Sequence, residues 1–527
     1  MRLDQMLKKL VTDKNFAKQL MLFVLLQPII DITRTFFGNG IEILGISFQE
    51  IVNIVLCGYL CVIFFFKYHR DVKKLMIPIS YTIILGVYLV FHIWNILQFN
   101  EEILNNCDIN MFKEIYMIVR TYYVPGIVFI MMLLSPEINK KFDKIVTILS
   151  GGISGVIVIT NILKVSFISY AGGLEKNAFI HKNIFEWFSN SNTEDAIYMT
   201  SKGWFYIGNQ ISIILFALFP ILILLAFKYG KKYLALVLLQ GIAMVMIGTK
   251  VASLGCILIL GASSVIFVIF GVFLKQFEIR MKDIICWIGI IVTLIFLFFS
   301  SPFFEVQGAK QEAYVADEYE TSLREKIKDM EKEVINSDSK EEESLDEKSI
   351  KDFAKEIEKN PYLYGINREF IELFPIEDNY EFWFKVATDE TQAQLDYREF
   401  KKEIYQEVLK KNSNKWDKVL GIGYTSNFPY VEKDFYSQIV WFGYIGMGIL
   451  MGPYILAITI AMMLLIRRLK INFRYGNMMF LMSILGSLLL CIMAGHLFNG
   501  IFSITIFGWI VASFYQVQRT GGIDIKQ

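Results

Sequence analysis

Charged residues interrupt the long apolar stretches of this 527-residue chain at a few positions. Asp31 and Arg34 lie three residues apart, a spacing that places both on one face of a helix. Arg120 lies in "MIVRTYYVPG", a stretch that contains no acidic residue. A guanidinium within an apolar segment needs a partner or a water-filled cavity, so Arg120 is a candidate functional residue.

Further candidates lie at the ends of apolar stretches. Asn209 opens one in "GWFYIGNQIS", Lys250 lies in "MIGTKVASLG", and His496 in "AGHLFNG". Glu432 and Asp434 precede the longest apolar stretch. Each has a plainer interpretation too: a lysine at such a position is usually a membrane-surface anchor, and an asparagine often serves helix packing.

These residue types together suit one chemistry. Arginine and lysine stabilise a pyrophosphate leaving group, and arginine does so through two parallel hydrogen bonds. A carboxylate or a histidine can accept the proton of an attacking sugar hydroxyl. An inverting displacement at an anomeric carbon needs one such base and no carboxylate nucleophile.

The composition indicates whether these residues lie in a soluble protein or in a membrane protein. Hydrophobic residues make up 54% of the chain, more than in soluble domains, and long charge-free stretches recur. The formal net charge is +1, so no basic surface for nucleic acid is expected. The six cysteines have no metal-ligand spacing, and we expect neither a metal nor another cofactor. The sequence predicts an all-α polytopic membrane protein.

About twelve segments are long enough to cross a bilayer as helices. The first imitates a signal peptide, but no small-residue cleavage site follows it, so a retained helix is expected. The predicted spans are 16–37, 46–66, 75–97, 112–134, 145–163, 203–227, 233–249, 252–274, 283–303, 437–466, 475–495 and 497–516.

The short basic loops all fall on one side of this arrangement. They are the N-terminal segment, "KYHRDVKK" (67–74), "NKKFDK" (139–144), "KYGKK" (228–232), "KQFEIRMK" (275–282), "RRLKINFR" (467–474) and the tail. Cytoplasmic loops carry an excess of lysine and arginine, so this side is predicted to be cytoplasmic, with both termini there.

The chain is therefore predicted to have three parts. Residues 1–303 hold spans one to nine and an outer segment at 164–202, which mixes aromatic and polar residues. Residues 304–436 form one large extracytoplasmic loop, whose charged part at 311–360 is helical or partly disordered. Residues 437–527 hold the last three spans and a short cytoplasmic tail.

All the candidate residues fall in the outer third of the predicted membrane. A transporter is expected to place such residues near the midplane, and it often shows internal repeats, of which none is evident here. A surface enzyme places them where a lipid-anchored substrate meets water. No nucleotide sugar is present on that side, so the donor is expected to be linked to a lipid pyrophosphate.

Four motifs, in order, resemble those of the O-antigen polymerase and O-antigen ligase superfamily. "GIGYTSN…VEKDFYSQIVWFGYIGMGIL" resembles the segment that closes the family's large outer loop. "GWFYIGNQISIILFALFPILI" is similar to its span with an asparagine near the outer end, "MIGTKVASLG" to its SR/TK turn, and "AGHLFNG" to its last hairpin. The resemblance is clearest over residues 200–525.

The resemblance implies a membrane-embedded glycosyltransferase of the multi-span (GT-C-like) class, acting on undecaprenyl-pyrophosphate-linked oligosaccharides outside the bacterial cytoplasmic membrane. The implied residue roles form three sets. Arg120, Lys250 and Arg34 bind the pyrophosphate; Glu432, Asp434 and His496 are the candidate catalytic residues, with the base unassigned among them; Asp31 and Asn209 line the cavity.

Polymerase of a surface or capsular polysaccharide is the favoured function. A ligase that transfers glycan to a different acceptor remains open, although ligases of the family carry a histidine in the large loop and 304–436 has none. A flippase for lipid-linked oligosaccharide and a membrane sensor are further alternatives. Membrane lipids are expected partners, and the resemblance adds a chain-length regulator and a flippase.

Overall fold

The computed structural model describes residues 10–37, 42–43, 46–171, 178–188, 193–277, 281–312, 347–359, 361–364, 366, 368–388, 397–431, 433–493 and 495–520. The described residues are mostly helical. The longer helices are α1 Asp13–Phe37, α2 Phe48–Tyr68, α3 Val72–Ile96, α4 Met111–Leu134, α5 Phe142–Ile162, α6 Gly208–Tyr229, α7 Lys231–Ile247, α8 Lys250–Phe273, α9 Met281–Phe299 and α10 Phe303–Glu312.

The remaining helices belong to the second half of the chain. They are α11 Glu347–Lys359, α12 Arg368–Leu373, α13 Tyr380–Thr388, α14 Tyr397–Asn412, α15 Asp417–Leu420, α16 Asp434–Arg467, α17 Leu469–Asn472, α18 Tyr475–Met493 and α19 Ile501–Thr520. The described strands are β1 Glu42–Ile43 and β2 Ile46–Ser47, which pair antiparallel. The predicted all-α membrane fold is confirmed.

Among the described helices, eleven are long and apolar enough to cross a membrane, against about twelve predicted. The difference is α7, which has 17 residues. At 1.5 Å per residue it spans ~26 Å, less than the ~30 Å of a hydrocarbon core. It ends at Gly248, whose positive φ of 69° is the left-handed conformation that commonly terminates helices.

The chain forms two compact units. The first comprises Met1–Gly86, Ile118–Gln307 and Gly448–Gln527, and the second comprises Val87–Met117 and Gly308–Met447.

In the first unit α6 is the central helix and packs against α5, α7, α8, α18 and α19. It is apolar on all sides, which is the pattern of a helix buried on every face, and 94% of its most apolar stretch is buried. The exposed side chains of α8 and α9 are largely apolar, as expected for faces that meet lipid: Leu258, Val265, Ile288, Val292 and Phe296.

The second unit has a small aromatic core. Trp383 and Phe374 are fully buried in it, and the Trp383 indole donates a hydrogen bond of 2.9 Å to the Phe374 carbonyl. Helix α13, which contains Trp383, packs against α11. Of the charged segment predicted at 311–360, residues 313–346 lie outside the described part of the chain.

The structure corrects one predicted element. The span expected to be continuous over 437–466 is broken at Gly443, where the backbone has φ 67° and ψ −179°. A Cβ at Gly443 would lie 2.3 Å from the carbonyl oxygen of Val419. The break therefore lets the preceding segment approach the helix backbone, and only glycine permits both the conformation and the contact.

Candidate functional site

A polar cavity within the first unit brings together several of the candidate residues. Its walls come from α1, α2, α4, α6 and the start of α19, and its volume is about 40 Å³. That is room for a few water molecules. The residues that line it are Gln27, Ile30, Asp31, Arg34, Gln49, Glu50, Asn53, Arg120, Gln210, Gly500, Ile501 and Phe502.

Arg120 forms an ion pair with Glu50, a residue far from it in the sequence. Its Nε donates to Glu50 Oε1 at 2.7 Å, and the two side chains are only 18% and 11% exposed. Glu50 is the third residue of α2, where it also accepts from the backbone N–H and the hydroxyl of Ser47, at 3.3 and 2.7 Å. The helix cap thus fixes the carboxylate that holds the guanidinium.

Arg120 lies in a wide, π-helical turn of α4, Val119–Tyr123. Pro125 follows and has no N–H to continue the α-helical hydrogen bonds, which accounts for the widened turn. The Tyr122 carbonyl in this turn accepts a hydrogen bond from the Tyr81 hydroxyl at 3.0 Å. Turns of this kind are frequent at functional sites because they redirect one side chain.

Asp31 and Arg34 both contact Tyr206. The Tyr206 N–H donates to Asp31 Oδ2 at 3.0 Å, and the Arg34 guanidinium lies 4.1 Å from the centre of the Tyr206 ring. Lys202 is fully buried, donates to the Tyr206 carbonyl at 2.8 Å and interacts electrostatically with Asp31. Lys202 lies next to the "GWFYIG" motif and was not among the residues predicted from the sequence.

The amide side chains of the cavity differ in how they are satisfied. Gln27 donates to Asn53 Oδ1 at 2.8 Å, and Gln210 donates to Ser503 Oγ at 3.3 Å. Gln49 is 3% exposed, and neither end of its amide has a hydrogen-bond partner among the described residues. Buried polar groups are nearly always satisfied, so this amide points to a water molecule or a ligand in the cavity.

Gly500 lies against the Gln210 side chain in the cavity wall. A Cβ at this position would lie 1.8 Å from Nε2 of Gln210. The absence of a side chain therefore lets the start of α19 approach α6 closely.

Two guanidinium groups and two carboxylates thus meet around a small polar space. Arg120 is bound by the Glu50 carboxylate, and Arg34 is stacked on the Tyr206 ring. Arginine presents donors in a planar fork that matches phosphate oxygens, so the site has the donor set for a phosphate or pyrophosphate group. Within the described ranges no group of three His, Cys, Asp or Glu side chains could hold a metal ion.

Other predicted residues of the first unit do not line this cavity. Lys250 is exposed at the first position of α8, and Asn209 is half-buried beside Gln210, which does line the cavity. His496 is half-buried in the α18–α19 connection, which supplies Gly500 to the cavity wall. Its φ of 71° is in the left-handed region, a strained conformation for histidine.

The candidate carboxylates of the "VEKD" motif belong to the second unit. Asp434 is fully buried at the start of α16 and accepts a hydrogen bond of 3.0 Å from the Tyr430 hydroxyl. Glu432 lies outside the described residues. Lys433, between them, forms an ion pair with Glu399. Together with the Lys402 ammonium, the Lys433 ammonium holds the pKa of the Glu399 carboxyl below its usual range.

The glycines of the "GIGYTSN" motif shape the segment before α16. Gly421 and Gly423 have φ of 89° and 84°, and the N–H groups of Ile422 and Gly423 donate to the carbonyls of Val440 and Trp441. The two glycines thus let this segment pair with the backbone just before the Gly443 break.

The second unit also contains a buried histidine–glutamate pair that was not predicted from the sequence. His92 Nε2 lies 2.9 Å from Glu114 Oε1, and both side chains are fully buried. Glu114 also accepts from the N–H groups of Tyr424 and Thr425 at 3.0 Å each. The signal available in the sequence was a lone histidine and a lone glutamate at the ends of two apolar segments.

These features define an all-α, multi-pass integral membrane protein with a polar site among its helices. Over residues 13–514 the sequence matches the family described as O-antigen ligase like membrane protein, and the chain belongs to that family. The resemblance drawn from the motifs is thereby confirmed, and the family indicates a glycosyltransferase-type enzyme. No curated protein and no solved structure matches the chain.

Proposed function

We propose that this protein is a membrane-embedded glycosyltransferase that polymerises a cell-surface polysaccharide. The donor is a growing glycan linked to undecaprenyl pyrophosphate. The acceptor is a sugar hydroxyl of another lipid-linked repeat unit at the outer face of the bacterial cytoplasmic membrane. The observation that carries the proposal is the cavity in which Arg34 and Arg120 meet the amide of Gln49, which has no hydrogen-bond partner among the described residues.

The cavity residues suit a pyrophosphate leaving group. The acceptor hydroxyl attacks the anomeric carbon from the face opposite the leaving group, and the bond between that carbon and the phosphate oxygen breaks. Lipid pyrophosphate leaves with the electron pair, and the guanidinium groups of Arg34 and Arg120 stabilise its developing charge. The proton of the hydroxyl passes to a base, for which Glu432, Asp434 and His496 remain the candidates.

The position of the cavity supports a reaction outside the cytoplasm. Arg34 is in the last turn of α1, and Gln49 and Glu50 are in the first turn of α2. The basic loops lie at the opposite ends of these two helices, and the positive-inside rule makes those ends cytoplasmic. A lipid-linked donor in the outer leaflet would then reach the cavity from its own side of the membrane.

Substrate binding requires the site to open. A volume of about 40 Å³ holds water and no pyrophosphate group. Arg34 is held by a stacking contact with Tyr206, whereas Arg120 is held by a hydrogen-bonded carboxylate. The Arg34 side chain is therefore the one that moves more easily when a pyrophosphate enters.

The ligase function is the second candidate, and the description of the matching family favours it. A ligase would use the same donor site and a different acceptor. The absence of histidine from 304–436, in contrast to ligases of the family, favours the polymerase.

The size distribution of surface polysaccharide from a deletion strain tests the proposal. The strain is complemented at matched expression with the wild type, Arg120→Ala, Arg34→Ala or Glu432→Ala. Arg70→Ala is the matched control, because Arg70 is exposed in the α2–α3 loop, away from the cavity. We expect the wild type and the control to restore long chains, and the two cavity variants to leave mostly single repeat units.

Each other result contradicts the proposal in a different way. Full-length polymer that accumulates unattached in the deletion strain identifies a ligase. If no repeat unit reaches the outer surface, the protein is a flippase. If both cavity variants restore long chains at the wild-type level, the cavity is not the donor site.

A further inference from the structure

The first unit has a second and larger cavity, of about 690 Å³. Its walls come from the turn before α5, the start of α5, the end of α6, the start of α7, and residues of α18 and α19. The residues that line it are Asn139, Lys140, Lys141, Phe142, Asp143, Lys144, Thr147, Ile148, Lys228, Tyr229, Tyr233, Phe480, Ser513 and Val517. We refer to it as the lysine pocket.

The lysine pocket and the polar cavity lie at opposite ends of the same two helices. In α6, Gln210 lines the polar cavity and Lys228 lines the lysine pocket. In α19, Phe502 lines the polar cavity and Val517 lines the lysine pocket. The helix advances by eighteen residues from Gln210 to Lys228, which corresponds to ~27 Å, about the thickness of a hydrocarbon core. The two sites therefore lie at opposite surfaces of the membrane.

The charge of the lysine pocket is positive. Four lysines and one aspartate line it. The aspartate, Asp143, is already hydrogen-bonded: its Oδ2 accepts from Lys228 Nζ at 3.4 Å and from the Tyr229 hydroxyl. Lys140 pairs with Glu137 at 2.5 Å.

Two of these lysines are available for a ligand. Lys141 and Lys144 are exposed, and neither has an ion-pair partner in the part of the chain that the structure describes. Their ammonium groups give the pocket two positive charges that no carboxylate among the described residues balances.

The lysine pocket also has an apolar side. Phe142 and Phe480 pack with ring centres 5.2 Å apart, and Val517 lies with them in the wall. Ile148 is 46% exposed in the second turn of α5, a face that meets lipid in a membrane. A soluble anion needs only the cations, whereas a ligand with a phosphate group and acyl chains uses both sides of the pocket.

We propose that the lysine pocket binds the phosphate headgroup of an anionic phospholipid from the cytoplasmic leaflet. Lys141 and Lys144 contact the phosphate, and the acyl chains lie along the exposed face of α5. The positive-inside rule places this surface in the cytoplasm, where the membrane surface is negative. The site is distinct from the proposed donor site, so it does not depend on the function proposed above.

Binding of short-chain phosphatidylglycerol to the full-length protein in detergent tests the site. The test variant is Lys141→Gln/Lys144→Gln. Lys231→Gln/Lys232→Gln is the matched control, because it removes the same charge from the first turn of α7, at positions that do not line the pocket. We expect about thirtyfold weaker binding for the test variant, from two lysines near a headgroup, and no change for the control.

Two further measurements keep the result interpretable. Lys141→Arg/Lys144→Arg keeps the charge and should bind like the wild type, which separates lost contacts from a misfolded variant. Phosphatidylcholine and glycerol 3-phosphate are the comparison ligands, and both should bind far more weakly than phosphatidylglycerol. Equal loss of binding in the test and control variants would overturn the proposal, and so would equally tight binding of glycerol 3-phosphate.

Discussion

At the scale of single residues, Glu50 is the link between a helix cap and the proposed chemistry. One carboxylate oxygen accepts from Ser47 and the other accepts from Arg120. Burial of an ion pair is costly unless further hydrogen bonds satisfy it, and removal of one partner leaves the other charge uncompensated. Glu50 thus positions Arg120 without needing to contact the substrate.

Arg120→Lys tests whether the fork of the guanidinium matters. The variant keeps the charge opposite Glu50 but loses the paired donors that fit a phosphate. We expect a 10- to 100-fold decrease in chain extension, about the value of one charge-assisted hydrogen bond, with an unchanged thermal midpoint. The ratio of long chains to single repeats in the complemented strain measures it, and full activity would contradict the assigned role.

Gln49→Met separates a ligand-binding amide from a structural one. The amide has no partner in the described part of the chain, so its replacement by an apolar side chain of similar size should leave the thermal midpoint unchanged or raise it. Activity should fall by about 3- to 10-fold if the amide binds substrate. A lower thermal midpoint with full activity would instead assign Gln49 to packing.

In the second unit, Glu114 has a structural role of the same kind. It accepts hydrogen bonds from the backbone of Tyr424 and Thr425 while it pairs with His92. Glu114→Ala leaves these donors buried without an acceptor, so we expect a loss of about 3 kcal/mol of stability.

Thermal unfolding of the purified protein measures that loss. The control is Glu102→Ala, because Glu102 is exposed in the same unit and its change should have almost no effect. Equal midpoints for the two variants would show that the buried pair contributes nothing to stability.

At the scale of elements, the helix break at Gly443 and the turn at Gly421 depend on each other. A Cβ at Gly421 would lie 2.2 Å from the Trp441 carbonyl oxygen. A Cβ at Gly443 would lie 2.3 Å from the Val419 carbonyl oxygen. Both residues have positive φ. Two backbone segments therefore approach more closely than any side chain permits.

Gly443→Ala should destabilise the protein by at least ~2 kcal/mol, from backbone strain and the clash together. Gly448→Ala is the matched control in the same helix, because no atom lies within 4 Å of a Cβ there. The control should be neutral or slightly stabilising, since glycine is unfavourable within a helix. Thermal midpoints in detergent measure both, and equal values would contradict the packing argument.

Length and hydropathy were sufficient to predict most of the helices. For α2, the predicted span 46–66 and the observed Phe48–Tyr68 differ by two residues at each end. The Gly443 break was not predictable, because its cause is the carbonyl of a residue in another segment. The partner of Arg120 was missed for the same reason, although the Ser47–Glu50 spacing is itself a recognisable capping signal.

At the scale of the whole molecule, the two proposals require one orientation in the membrane. The polar cavity must face the outer leaflet and the lysine pocket the cytoplasm. The charge pattern of the loops predicts this orientation, and substituted cysteines can test it directly. Lys410→Cys in α14 and Lys140→Cys before α5 are a matched pair, because the native side chains are 70% and 69% exposed.

In intact cells a membrane-impermeant maleimide should label Lys410→Cys and not Lys140→Cys, and permeabilised cells should label both. Background from Cys107 should be low, because burial raises the pKa of its thiol to about 12, so that almost none is thiolate near neutral pH. The opposite labelling pattern would place the arginine cavity in the cytoplasm, where a donor in the outer leaflet cannot reach it. Both the polymerase and the cytoplasmic lipid site would then be wrong.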